Sequence, residues 1–100
     1  MNSKDQWIIE FVDNSRHSFI LQSEWGEAAT LMKDILLFGK VNCTEEKALC
    51  ERFNLSKFPK ILIFREEVKN DTNYEEYKGS KTASNLISTI LSIDRGVDQK

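Results

Sequence analysis

The chain has 100 residues, of which 40% are apolar, 30% charged and 10% aromatic, with a net charge of −2. That leaves room for one domain, which usually takes about 100–200 residues. With only two cysteines, it excludes a disordered, collagen-like or disulfide-dense chain. No apolar run approaches the roughly 20 residues of a membrane helix. The 14 basic residues are scattered among 16 acidic ones, whereas nucleic acid asks for a basic patch. Neither membrane nor nucleic acid is therefore expected as a partner. The N-terminus shows no pattern of basic residues followed by an apolar stretch, so it names no compartment.

In chain order, Gln6 to Val12 is a near-continuous apolar run with β-branched and aromatic residues, and it predicts a buried strand. Asp13-Asn14-Ser15 breaks it. Leu21, Trp25, Ala28, Ala29, Met32 and Leu36 then recur as the stripe of an amphipathic helix, with Ser15 or Ser18 as its cap. Leu36 to Val41 predicts a second strand. Thr44-Glu45-Glu46 opens a short helix, Thr44 being a good cap and the two acids suiting the positive end of the helix dipole. Ile61 to Phe64 predicts a third strand, Arg65 to Asn73 a mostly polar turn, and Tyr74 to Tyr77 a fourth strand. Ala83, Leu86, Ile87, Ile90 and Leu91 give the last helix. The tail, 96–100, is expected to fray. The order is β-α-β-α-β-β-α, with the first two strands parallel and the last two an antiparallel hairpin.

This order, with particular residues, resembles the thioredoxin fold, and more narrowly a domain of the protein disulfide isomerase family. The residues that carry the likeness run from Trp7 to Leu91. They are Trp7-Ile8-Ile9-Glu10-Phe11, Glu24-Trp25, Lys40-Val41-Asn42-Cys43-Thr44, Phe58-Pro59, Phe64-Arg65 and Tyr77-Lys78-Gly79-Ser80-Lys81. The implied fold is α/β and thioredoxin-like: a central four-stranded mixed sheet flanked by helices, lacking the family's first strand and helix. Residues 1–95 would form the single domain. The family places Cys-x-x-Cys at the start of its long helix. Counting back from Trp25 puts Ser15 and Ser18 there, so Ser15-Arg16-His17-Ser18 reads as a degenerate active-site loop, the dithiol replaced by Ser-x-x-Ser.

A serine cannot exchange disulfides, because the reaction needs a thiolate nucleophile and a sulfur to attack. His17 and Ser18 are adjacent and do not face each other as a triad requires. One histidine and two cysteines are too few clustered ligands for zinc. No catalytic residue, metal or cofactor is therefore expected. The resemblance implies that Glu10 and Lys40 form a buried charge pair, Glu10 being costly to bury alone. It implies a cis bond at Phe58-Pro59, with client polypeptide contacting Asn14, Ser15, Phe58 and Pro59. It matches Arg65 to an arginine near the active site, which reads here as a surface charge. It also implies a structural disulfide between Cys43 and Cys50, the other reading being two buried free thiols.

The resulting expectation is a redox-inactive module of a disulfide isomerase-type or J-domain chaperone. It would lie in the endoplasmic reticulum lumen, flanked by other domains, and bind client or partner polypeptide near the cis-proline. The alternatives are a weak oxidoreductase using Cys43 and Cys50, or a structural spacer. Asn42-Cys43-Thr44, Asn54-Leu55-Ser56 and Asn70-Asp71-Thr72 fit the glycosylation acceptor pattern.

Overall fold

A computed structural model of the chain describes residues 6–64 and 74–94. Seven elements follow one another: β1 (Trp7–Val12), α1 (Arg16–Met32), β2 (Leu37–Asn42), α2 (Lys47–Arg52), β3 (Lys60–Phe64), β4 (Tyr74–Glu76) and α3 (Ala83–Asp94). The strands make one mixed sheet in the order β2-β1-β3-β4. β1 pairs in parallel with β2, Glu10 opposite Lys40, and antiparallel with β3, Glu10 opposite Ile61. β3 and β4 form the expected antiparallel pair, and Lys60 and Glu76 close an ion pair of 3.1 Å between them.

Side chains alternate across a strand, and here both faces are covered. On one, Ile8, Ile61 and Ile63 pack with Leu21, Trp25 and Ala28 of α1 and Leu86 and Ile90 of α3. On the other, Phe11, Leu62 and Phe64 pack with Cys43 and Cys50, bordered by Phe53, Leu55, Phe58 and Tyr74. β1 and β3 occupy the centre and are buried on both faces, which is why both read as continuous apolar runs.

Besides shifts of one residue at strand ends, local hydrogen bonding sets three limits apart from the sequence reading. α1 stops at Met32, whose carbonyl takes the Ile35 N–H at 2.9 Å, so Leu36 follows the helix and begins no strand. α2 starts at Lys47 and not at Thr44. There the Asn42 side-chain carbonyl accepts the Thr44 N–H at 2.9 Å, and its backbone carbonyl accepts those of Glu45 and Glu46. That local turn competes with the helix for the same donors. β4 ends at Glu76, although the Tyr77 N–H still donates to the Ile61 carbonyl at 2.9 Å. The Tyr77 ring then lies over Gly79, where a Cβ would stand 2.8 Å from the phenol oxygen, so the turn into α3 has room only for glycine. The expected polar turn, Arg65 to Asn73, and the expected frayed tail lie outside the described residues.

One contact joins distant parts of the chain. Glu24 in α1 accepts the Ala83 N–H at 2.7 Å, at the first turn of α3, while Thr82 accepts from Asn85 at 3.3 Å. Helix starts leave N–H groups without partners inside the helix, and a carboxylate there also suits the dipole.

Candidate functional site

The start of α1 lies where β1 ends. Ser15 is its cap: the hydroxyl accepts the Ser18 N–H at 3.3 Å. The Ser18 side chain is buried and turns back, donating to Asp13 Oδ1 at 2.9 Å and accepting the Asp13 N–H at 3.1 Å. Asp13 Oδ1 also accepts the Ser15 N–H at 3.0 Å. Hydrogen bonds from Ser15, with Ser18 adding to them, hold the Asp13 carboxyl below its usual range. His17 is exposed and the Ser18 hydroxyl is engaged with Asp13. Ser15→Ala is expected to lower stability by about 1 kcal/mol through loss of the cap, read from the midpoint of a urea melt with unchanged slope.

Glu10 is fully buried beneath α1. One carboxyl oxygen accepts from Gln22 Nε2 at 3.3 Å; the other, Oε2, has no hydrogen-bond partner among the described residues. Burial raises the carboxyl from 4.5 to about 7, against the opposing pull of the Gln22 hydrogen bond and the Lys40 charge. Lys40 stands beside it in register but is exposed and closes no ion pair with it. Gln22 is therefore the direct partner, and the sequence reading passed it over. A signal was present, since Ser18, Gln22 and Trp25 share one helical face, so Gln22 sits within an otherwise inward stripe.

Cys43 follows β2 and Cys50 lies in α2. They are joined, with Sγ atoms 2.02 Å and Cα atoms 5.8 Å apart. Both are buried, Cys43 at 7% exposure and Cys50 at 3%. The Cys43 N–H donates to the Val12 carbonyl at 2.7 Å, which holds the bridge to the end of β1. Phe11 packs in the same cluster, and its ring lies 5.6 Å from that of Phe53. A loop this short stabilises the fold by about 2–3 kcal/mol on the chain-entropy account.

The Phe58-Pro59 peptide bond is cis. Phe58 touches the cluster around the bridge on one side. On the other, Phe58 and Pro59 line a hollow of about 430 Å³ with His17, Ile20, Leu21 and Lys81. Ile20 is 58% exposed and its neighbour Phe19 78%. Asn14 and Ser15 do not reach this hollow. They line a second, smaller one of about 270 Å³ with Gln22, Lys40 and Asn42. The four residues expected to contact a client are thus split between two hollows on different sides of the first turns of α1.

Known proteins place this geometry. The thioredoxin family's sequence pattern matches residues 1–92. The chain is 36% identical over 90 residues to protein disulfide-isomerase like 2-2 of Arabidopsis thaliana, covering 89% of this chain and 20% of that one. It is 31% identical to protein disulfide-isomerase A6 of Mus musculus, covering 92% and 20%. The chain thus spans about a fifth of the length of these relatives. Among solved structures, the J-Trx1 fragment of ERdj5 superposes with a TM-score of 0.81 at 25% identity, over 94% of this chain and 45% of that one.

These findings correct two expectations. The chain is not a domain whose cysteine couple was exchanged for Ser-x-x-Ser. It carries a couple, Cys43 and Cys50, and that couple is bonded, while Ser15 caps the start of α1 and Ser18 ties it to Asp13. The reading of a redox-inactive binding module rested on the loop alone. A bonded pair in a chain similar to disulfide isomerases favours the cysteine-based alternative. The four-stranded mixed sheet, the helices on both its faces and the sequence pattern agree: the chain belongs to the thioredoxin family and, within it, is similar to the protein disulfide isomerases.

Proposed function

We propose that this domain is a thiol–disulfide oxidoreductase whose couple is Cys43 and Cys50, acting on polypeptide thiols in the lumen of the endoplasmic reticulum. The observation that carries this reading is the bridge, which joins the chain's only two cysteines. A disulfide persists in an oxidising compartment, and the similarity to disulfide isomerases supports the same chemistry.

The step runs as follows. A client thiolate attacks the Sγ of Cys43, the more exposed of the two residues. The client S–Cys43 bond forms as the Cys43–Cys50 bond breaks, and Cys50 leaves as a thiolate that takes up a proton. A second client thiolate attacks the client sulfur of this mixed disulfide, and Cys43 leaves and is protonated. The client is oxidised by two electrons to a disulfide and the domain is reduced to a dithiol. The two client protons end on Cys43 and Cys50.

Both sulfurs are buried, so exchange waits on local opening, and turnover is slow. α2 is the element that opens. It has six residues, and its cap Glu46 makes no side-chain hydrogen bond; short helices are marginal alone, and such elements open at low free-energy cost. Insulin reduction by dithiothreitol is expected to run faster with the oxidised domain than in the blank. It should fall to the blank in Cys43→Ser and Cys50→Ser, both shown folded by circular dichroism. A wild-type rate equal to the blank, with the bridge intact in native protein under the same reductant, overturns the reading.

A further inference from the structure

We infer that Asn54 is a glycosylation site, modified on its side-chain amide by an oligosaccharide donated from a lipid diphosphate. The inference rests on the luminal location proposed above, and on an observation separate from the redox chemistry. Asn54-Leu55-Ser56 and Asn42-Cys43-Thr44 both have the acceptor pattern, and the structure sets them apart.

Asn54 follows α2 in the left-handed region, with φ of 56°, and is exposed. Ser56 is exposed as well. Among the described residues nothing holds the Asn54 side-chain amide or the Ser56 hydroxyl. Leu55 between them is half-buried beside Cys50 and donates its N–H to the Cys50 carbonyl at 3.2 Å. The triplet is thus anchored at its middle, with both reactive side chains in solvent. A left-handed turn after a helix accounts for an asparagine, but makes no demand for a hydroxyl two residues later.

Asn42 is the reverse. It is half-buried at the end of β2, and its side-chain carbonyl is taken by the Thr44 N–H at 2.9 Å. Its backbone carbonyl accepts from Glu45 and Glu46, and the middle residue of the triplet is the bridged Cys43. A glycan on Asn42 would meet the turn that carries the disulfide. One on Asn54 would project into solvent.

In the step, Asn54 Nδ2 attacks C1 of the transferred sugar. The C–N bond forms and the C–O bond to the lipid diphosphate breaks. The diphosphate leaves with the electron pair, and the amide gives up one proton. No electrons change hands.

The test translates the 100-residue chain with microsomes, with and without an added cleavable secretory signal, in a Thr72→Ala background that removes the Asn70 triplet. Import is read separately, from protease protection and from blocked alkylation of Cys43 and Cys50. The signal-bearing chain is expected to show one endoglycosidase-sensitive mass shift. The shift should be lost in Ser56→Ala, which leaves the Asn54 turn untouched, and in Asn54→Gly, which keeps its backbone conformation. It should persist in Thr44→Ala. No shift on imported, oxidised chain overturns the inference, and so does a shift that survives Ser56→Ala. If only the signal-bearing chain is imported and glycosylated, the acceptor site stands and the luminal reading fails.

Discussion

Phe11→Ala is expected to lower the unfolding free energy by about 3–5 kcal/mol, the usual cost of emptying a buried aromatic site. Phe11 is 1% exposed on the central strand. Its ring lies 5.6 Å from that of Phe53 and shares one cluster with the bridged cysteines, Phe64 and Tyr74. Phe64 and Tyr74 stand on strands and the two cysteines are cross-linked, so these neighbours have little freedom to collapse into the gap. A small domain has only about 5–15 kcal/mol to lose, so the variant should fold only marginally. Urea melts give the loss, and Phe11→Leu, which refills most of the volume, should recover much of it. A second readout tests the link to redox chemistry. A cavity beneath α2 lowers the cost of opening it, so the bridge in Phe11→Ala should be reduced faster than in wild type under conditions where both are folded. Equal reduction rates would mean that α2 opens independently of this cluster.

Between pH 4.5 and about 7 the wild type is expected to lose about 3 kcal/mol of stability, and Glu10→Gln is expected to lose almost none of it. Burial raises the folded carboxyl to about 7, whereas in the unfolded chain it titrates near 4.5. Between those values the folded state holds a proton that the unfolded state has released. Stability therefore falls as pH rises through this window and levels off above about 7. The size follows from about 1.4 kcal/mol per pH unit. Gln22 and Lys40 oppose the shift without cancelling it, because one hydrogen bond is long and the ammonium is in solvent. Glutamine cannot ionise, so the variant should be more stable than wild type at mildly alkaline pH and nearly equal to it in acid. Urea midpoints across the window decide the matter. Parallel curves for the two proteins would assign the pH dependence to other groups.

Much of the fold was legible because the apolar pattern is strong where burial is complete. Trp7 to Val12 and Ile61 to Phe64 are covered on both faces and read as strands without ambiguity. The stripes of α1 and α3 carried the two long helices. What misled was local hydrogen bonding. Thr44 has the chemistry of a cap, yet Asn42 captures its N–H and the cap moves two residues on, to Glu46. Ser15 and Ser18 invited comparison with a lost dithiol because they stand three apart at a helix start. That spacing also suits a cap and the residue whose N–H it accepts, and the structure uses them so. The Cys43–Cys50 pairing came from family resemblance, which gave it a structural role, and the loop without cysteine then decided the functional reading alone. Glu10 was expected to pair with Lys40. The register does place them side by side, but a lysine beside an open surface keeps its charge in water, and Gln22 makes the direct contact.

The order β2-β1-β3-β4 also bears on how the domain is made. Among the described strands β1 is synthesised first but occupies an inner position, with β2 on one side and β3 on the other. A chain grown to Asn42 can complete the parallel β1–β2 pair. The far edge of β1 then remains open until Phe64 has emerged. That edge carries Ile8 and Phe11, which end fully buried, and an unpaired apolar strand edge is a template for association with other chains. The nascent domain is therefore most adhesive while residues 43 to 64 are emerging, and that interval is when a chaperone on the emerging chain has most to protect.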